Sequence, residues 1–138
     1  MTAKALLERI IKIRKAIDYK RTKIDALVTQ AENTSARLTG MPHNPSGNHS
    51  TMETAICKML DLEREIEELA AERDALIQKI DLLEEADLSR ILTMRYVQEA
   101  PWDSIMTEMN YGASWTYELH NRAIKKLDII LKERSKPE

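Results

Sequence analysis

The sequence predicts an all-α protein with two parts: a long antiparallel helical hairpin of coiled-coil type over residues 1–86, and a three-helix unit over residues 87–138. Three observations support this fold class. The 138 residues contain no Phe and few Gly or Pro, and 32% of them are charged, which is typical of long helices. Two long runs carry apolar side chains at heptad spacing. Three shorter runs with helical spacing follow, separated by two short breaks.

The first long helix is predicted over residues 2–38, with Thr2 as a suitable N-cap. Its main support is an apolar a/d seam, which Lys20 and Thr34 interrupt. The apolar members of this seam are Ala3, Leu6, Ile10, Ile13, Ile17, Ile24, Leu27, Ala31 and Leu38. A single seam of this kind predicts a helix that packs lengthwise on another helix.

A loop is predicted over residues 39–51, because this segment holds two Gly, two Pro and no charged residue. Gly40 suits the position after a helix, and Pro42 prevents the helix from continuing. Ser50 or Thr51 is the predicted cap of the next helix.

The second long helix is predicted over residues 52–86, with Arg73 intruding on its seam. No Gly or Pro lies between Glu84 and Asp87, so we expect this helix to run almost directly into the C-terminal unit. The apolar members of its seam are Met52, Ala55, Met59, Leu62, Ile66, Leu69, Leu76, Ile80 and Leu83.

Charge is segregated between the two long helices. Residues 1–38 hold nine basic and four acidic side chains, whereas residues 52–86 hold four basic and eleven acidic ones. A basic helix and an acidic helix joined by a loop favour an antiparallel hairpin, in which the seam supplies most of the stability. Because two helices bury little surface by themselves, we expect the hairpin to pack on the C-terminal unit or to self-associate.

Three shorter helices are predicted in residues 87–138. The first covers Leu88 to Val97, and Pro101 suits the first turn of the second. A tight turn centred on Gly112 precedes the third, and together they form a helix-turn-helix pattern. The predicted inward face of the third helix is Thr116, Leu119, Ala123 and Leu127. Its predicted outward face is Ala113, Ser114, Trp115, Tyr117, Glu118 and Arg122.

A family resemblance rests on this C-terminal part. Residues 88–127 resemble region 4 of the bacterial sigma factors, which reads the upstream promoter element. Met109-Asn-Tyr-Gly-Ala-Ser-Trp-Thr-Tyr-Glu-Leu-His-Asn-Arg-Ala-Ile-Lys-Lys-Leu127 aligns without gaps to the turn and recognition helix of that region. The whole chain, including the Gly40-Met-Pro42 segment, is similar to the ArpU-like late-gene regulators of phages and prophages of Gram-positive bacteria.

The resemblance implies a sequence-specific regulator of phage genes that binds double-stranded DNA, with RNA polymerase as a further partner. The helix from Ala113 would enter the major groove. Arg122, Lys125 and Lys126 suit phosphate contacts, and the start of the helix can donate backbone N–H groups to a phosphate. The predicted DNA-contacting residues are Ser114, Trp115, Tyr117, Glu118, Arg122, Lys125 and Lys126.

This sequence departs from the family pattern at four positions. Gly112 stands where a hydroxyl-bearing N-cap is usual, and Ala113 and Trp115 stand where basic residues are common. Glu118 would repel phosphate, although it can accept a hydrogen bond from a cytosine amino group. These departures predict weak DNA binding by a single chain, strengthened by a dimer, a second protein or RNA polymerase.

Two alternatives stay open. Trp115 can fold back on Tyr111 or on the long hairpin, with Lys125 and Lys126 on an ordinary solvated face. Separately, the acidic net charge and the poorly basic face of the third helix allow a second function, a helical interaction adaptor that does not bind DNA and whose hairpin seam recruits a protein partner.

Catalysis, a metal and a cofactor are not expected. His43 and His49 fall in the predicted loop and His120 in the third C-terminal helix, without metal-ligand spacing. Cys57 is expected to be a half-buried helix residue in a reducing compartment. With no secretory signal and no apolar run that could span a bilayer, the sequence predicts a protein of the bacterial cytoplasm that does not contact membranes.

Overall fold

The structure, a computed structural model, describes the backbone of residues 1–38 and 45–135 and the side chains of residues 1–33 and 51–135. Within these ranges the regular structure is entirely helical, which confirms the predicted all-α class. Two 36-residue helices, α1 (Ala3–Leu38) and α2 (Pro45–Ile80), come first. They are followed by α3 (Ala86–Leu92), a π-helical segment (Thr93–Val97), α4 (Trp102–Met109) and α5 (Ala113–Ser135).

The first turn of α1 is capped by two side chains. The Ala5 N–H donates to Oγ1 of Thr2 at 3.1 Å, so the predicted N-cap is confirmed. The Ala3 N–H donates to Oδ1 of Asp128 in α5 at 2.6 Å. A carboxylate at this position also interacts favourably with the positive end of the helix dipole. This second cap comes from the far end of the sequence, and no local pattern indicated it.

The start of α2 differs from the prediction. The helix begins at Pro45, so the later half of the predicted loop 39–51 is helical and the expected caps Ser50 and Thr51 lie inside the helix. Proline suits the first position of a helix, where its missing N–H costs no hydrogen bond. The predicted roles of Gly40 and Pro42 lie outside the described residues.

The end of α2 also differs. The predicted continuation of this helix to residue 86 is wrong, because α2 ends at Ile80. The Leu82 N–H donates to the carbonyl of Lys79 at 3.2 Å, and the Leu83 N–H donates to that of Ile80 at 3.1 Å. This tighter turn buries Leu83, and the chain then extends through Glu85 before α3 begins. Burial of an apolar side chain ends the helix here without Gly or Pro.

The described contacts divide the chain into two compact units. A terminal unit contains residues 1–13 and 72–138, and a middle unit contains residues 14–71. Both divisions fall inside long helices, so the units do not coincide with the predicted segments 1–86 and 87–138. The predicted boundary between residues 86 and 87 separates two parts that are expected to fold and act independently. A division by contacts does not test that expectation, so the boundary stays a prediction.

The middle unit is an antiparallel pair of helical segments from α1 and α2. The Lys20 Nζ donates to Oε2 of Glu65 at 2.9 Å, and this hydrogen bond lowers the pKa of the Glu65 carboxyl. The predicted seam interruption at Lys20 is therefore an ion pair between the helices. Only Ile17 and Ala55 of this unit's apolar residues are buried within the described part of the chain. The remaining seam residues with described side chains are half-buried, among them Ile24, Leu27, Met59, Leu62, Ile66 and Leu69.

The terminal unit contains a continuous apolar core. Its most enclosed side chains come from all the helices that enter it, and α3 packs against α5. Arg9 donates from Nε and Nη2 to the two carboxylate oxygens of Glu72, at 2.5 and 2.9 Å, and this lowers the pKa of Glu72. The fully buried side chains include Leu6, Leu7, Ile10, Ile13, Ile80, Ile91, Leu92, Ile105 and Leu127.

Two further corrections concern single residues. Cys57 is exposed rather than half-buried, because it lies on α2 away from the seam that Ala55 and Met59 share. Pro101 is the residue before α4 and has an extended backbone, so it precedes the first turn instead of occupying it. None of the described helices has the length and apolar character required to cross a membrane.

Candidate functional site

The candidate site is the start of α5, which a three-residue turn joins to α4. Asn110 adopts the left-handed conformation with φ 59°, and the Tyr111 N–H donates to the carbonyl of Met106 at 3.2 Å. Asn tolerates this conformation better than most residues and often ends helices in this way. The predicted turn centre at Gly112 is therefore wrong: Asn110 makes the turn, and Gly112 is the residue before α5.

The inward face of α5 matches the prediction. Thr116 is fully buried, and its N–H and hydroxyl both donate to the carbonyl of Gly112, at 3.0 and 2.8 Å. These two bonds satisfy the polar atoms of a side chain that lies in an apolar environment. The other predicted inward residues, Leu119, Ala123 and Leu127, are buried as well.

The residues predicted to contact DNA lie on the accessible side of the same helix. Trp115 is 38% exposed and Tyr117 is 44% exposed, which is unusual for large aromatic side chains. Lys126 is half-buried. The other predicted contact residues are exposed: Ser114, Glu118, Arg122 and Lys125.

Trp115 makes two contacts with neighbouring side chains and stays 38% exposed. Its ring meets that of Tyr111 edge-on, with centroids 6.4 Å apart and an interplanar angle of 87°. The Arg122 guanidinium carbon lies 5.1 Å from the Trp115 ring centroid, within the range of a cation–π interaction. The alternative in which Trp115 folds back on Tyr111 is therefore correct for the ring contact, although the side chain is not buried by it.

The cations of this surface are partly neutralised by neighbouring carboxylates. Arg122 Nη2 donates to Oε1 of Glu118 at 2.9 Å, one helical turn earlier. Lys126 Nζ donates to Oε1 of Glu85, just before α3, at 2.5 Å. In the described part of the chain, Lys125 has no carboxylate within ion-pairing distance. The exposed positive charge is thus smaller than three basic residues suggest.

A cluster of aromatic side chains fixes α5 against the segment before it. The Trp102 ring meets the rings of Tyr117 and His120 edge-on, each with centroids 5.0 Å apart. The Arg95 guanidinium carbon lies 4.6 Å from the Trp102 ring centroid, and its Nη1 donates to the carbonyl of Ala100 at 3.2 Å. Tyr117 is therefore exposed and held in place by α4 at the same time. The spacing within α5 could not show this contact.

His120 belongs to this cluster, and its pKa is lowered. The Tyr96 hydroxyl and Nε2 of His120 lie 2.7 Å apart and form a hydrogen bond. Burial lowers the pKa of His120, and the positive charge of Arg95 lowers it further. Burial also raises the pKa of Tyr96. The pair is an uncharged structural hydrogen bond near neutral pH.

The turn before α5 is tied to α3 by a contact that the sequence did not indicate. The Tyr111 hydroxyl donates to Oδ2 of Asp87 at 2.8 Å, and this hydrogen bond raises the pKa of Tyr111. Asp87 lies in the first turn of α3, where a negative charge is favourable. An acidic residue in a first turn was the only sequence signal available, and it does not identify a partner.

The segment between α3 and α4 contains two unusual backbone features. The chain is π-helical from Thr93 to Val97, and Glu99 has a φ of 52°, which is rare for a residue other than Gly. The Ala100 N–H donates to the carbonyl of Met94 at 2.9 Å and closes this irregular turn. The predicted helix from Leu88 to Val97 is therefore confirmed, with its second half π-helical.

A metal centre finds no support in the geometry. In the described ranges, no three side chains of His, Cys, Asp or Glu form a group that could hold a metal ion. His120 stacks on Tyr96 and meets Trp102 edge-on, and the predicted loop position of His43 lies outside the described residues. The arrangement at α5 presents aromatic, hydroxyl and charged groups on a helix surface, which is suited to binding a partner.

Comparison with known proteins defines the family of this helical chain. Residues 50–128 match the model of a family described as protein of unknown function (DUF1492). Because this range covers more than half of the 138 residues, the chain belongs to the DUF1492 family. The matched range begins in α2 and ends in α5, so it includes the whole candidate site. No curated protein and no solved structure matches the chain.

Proposed function

We propose that this protein is a sequence-specific DNA-binding regulator of phage or prophage transcription that reads DNA with α5. The proposal rests on one observation: α4, the turn at Asn110 and α5 form a helix-turn-helix arrangement. The outward side chains at the start of α5, its second helix, are exposed. A helix of this kind inserts its N-terminal residues into the major groove. The resemblance of residues 88–127 to sigma region 4 supports the same role.

The side chains at the start of α5 have the chemistry required for this contact. Ser114 and Tyr117 carry hydroxyl groups that can bind phosphates or base edges. Glu118 can accept a hydrogen bond from the amino group of cytosine. Lys125, which has no carboxylate within ion-pairing distance in the described part of the chain, suits a phosphate contact, and Arg122 and Lys126 would join it after leaving Glu118 and Glu85.

The proposal includes further partners, because the surface of α5 carries little uncompensated positive charge. We infer that affinity depends on self-association through the long helices and on RNA polymerase holding the module at a promoter. The setting would be the cytoplasm of the bacterial host. These partners follow from the charge balance and from the resemblance to sigma factors.

The experiment that tests this function is capture of genomic DNA fragments by the purified full chain, at low and moderate salt, followed by sequencing. A triple variant, Arg122→Ala/Lys125→Ala/Lys126→Ala, is measured beside the unmodified chain. We expect enrichment of a discrete intergenic site, lost in the variant. On that site, the salt dependence of log Kd should fall by up to about three units, one for each phosphate contact removed.

A matched control removes equal charge elsewhere. Lys4, Lys12 and Lys15 are exposed on α1, and replacing all three with Ala should leave enrichment and salt dependence close to those of the unmodified chain. If the control reduces binding as much as the α5 variant does, the contact is nonspecific. If neither salt condition gives enrichment, the chain alone is not a DNA-binding protein, and a polymerase pull-down decides whether it acts as a polymerase-dependent factor.

A second candidate function is a protein-interaction adaptor without DNA binding. The observation that favours it is the seam of the middle unit, where Ile66 and Leu69 are only half-buried. This function predicts no retention of duplex DNA at low salt. It also predicts that Ile66→Asp or Leu69→Asp abolishes capture of a protein partner. Normal capture by both variants would exclude the seam as the recruiting surface.

A further inference from the structure

Trp115 is a large aromatic side chain in the first turn of α5, and it stays 38% exposed. It is the third residue of this helix, which begins at Ala113. Tryptophan is enriched where proteins meet their partners, because its ring combines a large apolar area with one polar N–H group. The position of Trp115 therefore raises the question of which chemical group its ring would contact.

Neighbouring side chains restrain the Trp115 ring in the free protein. The ring of Tyr111 meets it edge-on, with centroids 6.4 Å apart. Tyr111 is itself tied to α3, because its hydroxyl donates to Oδ2 of Asp87 at 2.8 Å. The Arg122 guanidinium carbon lies 5.1 Å from the Trp115 ring centroid. A side chain that is restrained before binding loses little conformational entropy when a partner arrives.

The polar group of Trp115 is not used within the described part of the chain, where the indole N–H donates no hydrogen bond. An indole can donate one hydrogen bond and accepts none. Trp115 therefore carries one available donor beside an apolar ring. Trp102 differs, because it is half-buried and its ring packs against those of Tyr117 and His120. The role of Trp102 is thus to hold α5 in place.

The base edges in the major groove of DNA differ in how well they match such a side chain. Thymine presents the O4 acceptor beside its C5 methyl group. Guanine presents acceptors without an apolar group, adenine an acceptor and an amino donor, and cytosine an amino donor. A phosphate accepts hydrogen bonds but has no apolar surface. Thymine alone places an acceptor beside an apolar group, which complements the donor and the apolar ring of an indole.

We propose that Trp115 is a specificity-determining residue that reads thymine, with its ring on the C5 methyl group and its N–H directed to O4. This inference rests on the proposed function, in which α5 enters the major groove, and it names the base that one side chain selects. The N-terminal residues of a recognition helix are those that contact base edges, which suits the third residue of α5. The nearby positive charge of Arg122 suits a phosphate of the adjoining backbone.

The test removes the methyl group from the DNA. In the operator recovered by fragment capture, each thymine is replaced one at a time by deoxyuridine, which lacks the methyl group but keeps O4 and the base pairing. At a defined thymine, we expect this replacement to raise Kd for the unmodified full chain about fourfold, the factor that corresponds to burying one methyl group. This increase in Kd is here called the methyl penalty.

Two substitutions of Trp115 separate its ring from its N–H group. Trp115→Ala should raise Kd and abolish the methyl penalty, because no ring remains to contact the methyl group. Trp115→Phe keeps an apolar ring and loses the donor, so it should retain the methyl penalty while binding more weakly than the unmodified chain. Loss of a merely structural side chain would weaken binding to both DNAs alike. Circular dichroism checks that the variants keep their helix content.

Ile129→Ala is the matched control. Ile129 is an exposed apolar residue of the same helix, 57% accessible, and it lies about 21 Å beyond Trp115 along the helix axis. This variant should keep both the Kd and the methyl penalty of the unmodified chain. An equal loss of the methyl penalty in Ile129→Ala would overturn the assignment to Trp115.

The remaining outcomes distinguish this inference from the proposed function. Failure to capture any operator would refute the proposed function and this inference with it. Capture of an operator at which no thymine shows a methyl penalty would refute this inference alone. A full methyl penalty in Trp115→Ala would have the same meaning, because another residue would then contact the methyl group.

A second measurement needs no protein variant. 5-Iodouracil replaces the sensitive thymine, so that iodine occupies the place of the methyl group, and the complex of the unmodified chain is irradiated. We expect a covalent crosslink to the α5 peptide at Trp115, identified by mass spectrometry. A crosslink at another residue, or none at Trp115, would overturn the contact even if Trp115→Ala fails to fold.

Discussion

Arg122 donates a hydrogen bond from Nη2 to Oε1 of Glu118, at 2.9 Å, on the face of α5 that is proposed to meet DNA. The same guanidinium lies over the Trp115 ring. The carboxylate thus occupies a position that a phosphate oxygen would otherwise take. Because exposed ion pairs are worth less than about 1 kcal/mol, DNA can displace Glu118 at a small cost.

The first prediction concerns this competition. Glu118→Gln removes a negative charge from the face of α5 that is proposed to meet DNA, and it weakens the hydrogen bond that Arg122 donates within the chain. On the operator identified by fragment capture, we expect Kd to fall by about two- to fivefold, the range that an exposed ion pair accounts for. If the operator has a cytosine contacted by Glu118, the variant should instead lose preference for that base.

The control for this prediction is Glu68→Gln, which removes a carboxylate from an exposed position of α2. Its Kd should stay within experimental error of the unmodified value at moderate salt. An equal gain in affinity from both substitutions would mean that net charge alone, rather than the Glu118 side chain, sets the affinity.

The second prediction separates two neighbouring lysines. Lys125 is exposed and has no carboxylate within ion-pairing distance in the described part of the chain, whereas Lys126 pairs with Glu85. Lys125→Ala should reduce the slope of log Kd against log salt by about one unit. Lys126→Ala should reduce it less, because Glu85 already neutralises that charge. Equal reductions would show that the ion pair with Glu85 opens when DNA binds.

The third prediction concerns the cap that joins α1 to α5. Asp128→Ala removes the acceptor of the Ala3 N–H and should lower the free energy of unfolding by about 1 kcal/mol, the usual cost of losing an N-cap. Urea denaturation followed by circular dichroism measures this change. Asp74→Ala, at an exposed position within α2, should change stability by less than about 0.5 kcal/mol.

The fourth prediction concerns pH. Burial and the charge of Arg95 lower the pKa of His120 in the folded protein, so the unfolded chain takes up a proton at a higher pH than the folded one. The contribution of neutral His120 to the free energy of unfolding is therefore fully present above its unfolded pKa of about 6.5, and it is lost as the pH falls through the pKa of His120 in the folded protein. His120→Gln should flatten the dependence of unfolding free energy on pH below about pH 7. An unchanged pH profile would exclude His120 as the titrating group.

Local spacing was sufficient to predict the helical class and the inward face of α5. Thr116, Leu119, Ala123 and Leu127 are all buried, as their repeat of three and four residues indicated. The repeat of a helix is a local property, and one apolar stripe is enough to say which side meets the core. For the same reason the outward side of α5 followed from the sequence.

Helix ends were harder to predict, because they depend on more than Gly and Pro. Pro45 begins α2 instead of belonging to a loop, and α2 ends at Ile80 without either residue. The chain turns there because Leu83 and the residues of α3 enter the core of the terminal unit. The apolar spacing of α2 would continue into a longer helix, so it does not indicate where the chain turns.

The sequence by itself determined that the chain is helical and which residues of α5 lie outward. Only the tertiary structure decided what those residues touch: Asp128 caps α1 at Ala3, Glu85 pairs with Lys126, and Trp102 meets Tyr117. The physical reason is that a helix repeat depends on neighbours three or four residues away, whereas these contacts join distant segments. Which carboxylate neutralises a given lysine depends on how those segments pack, and no local pattern records it.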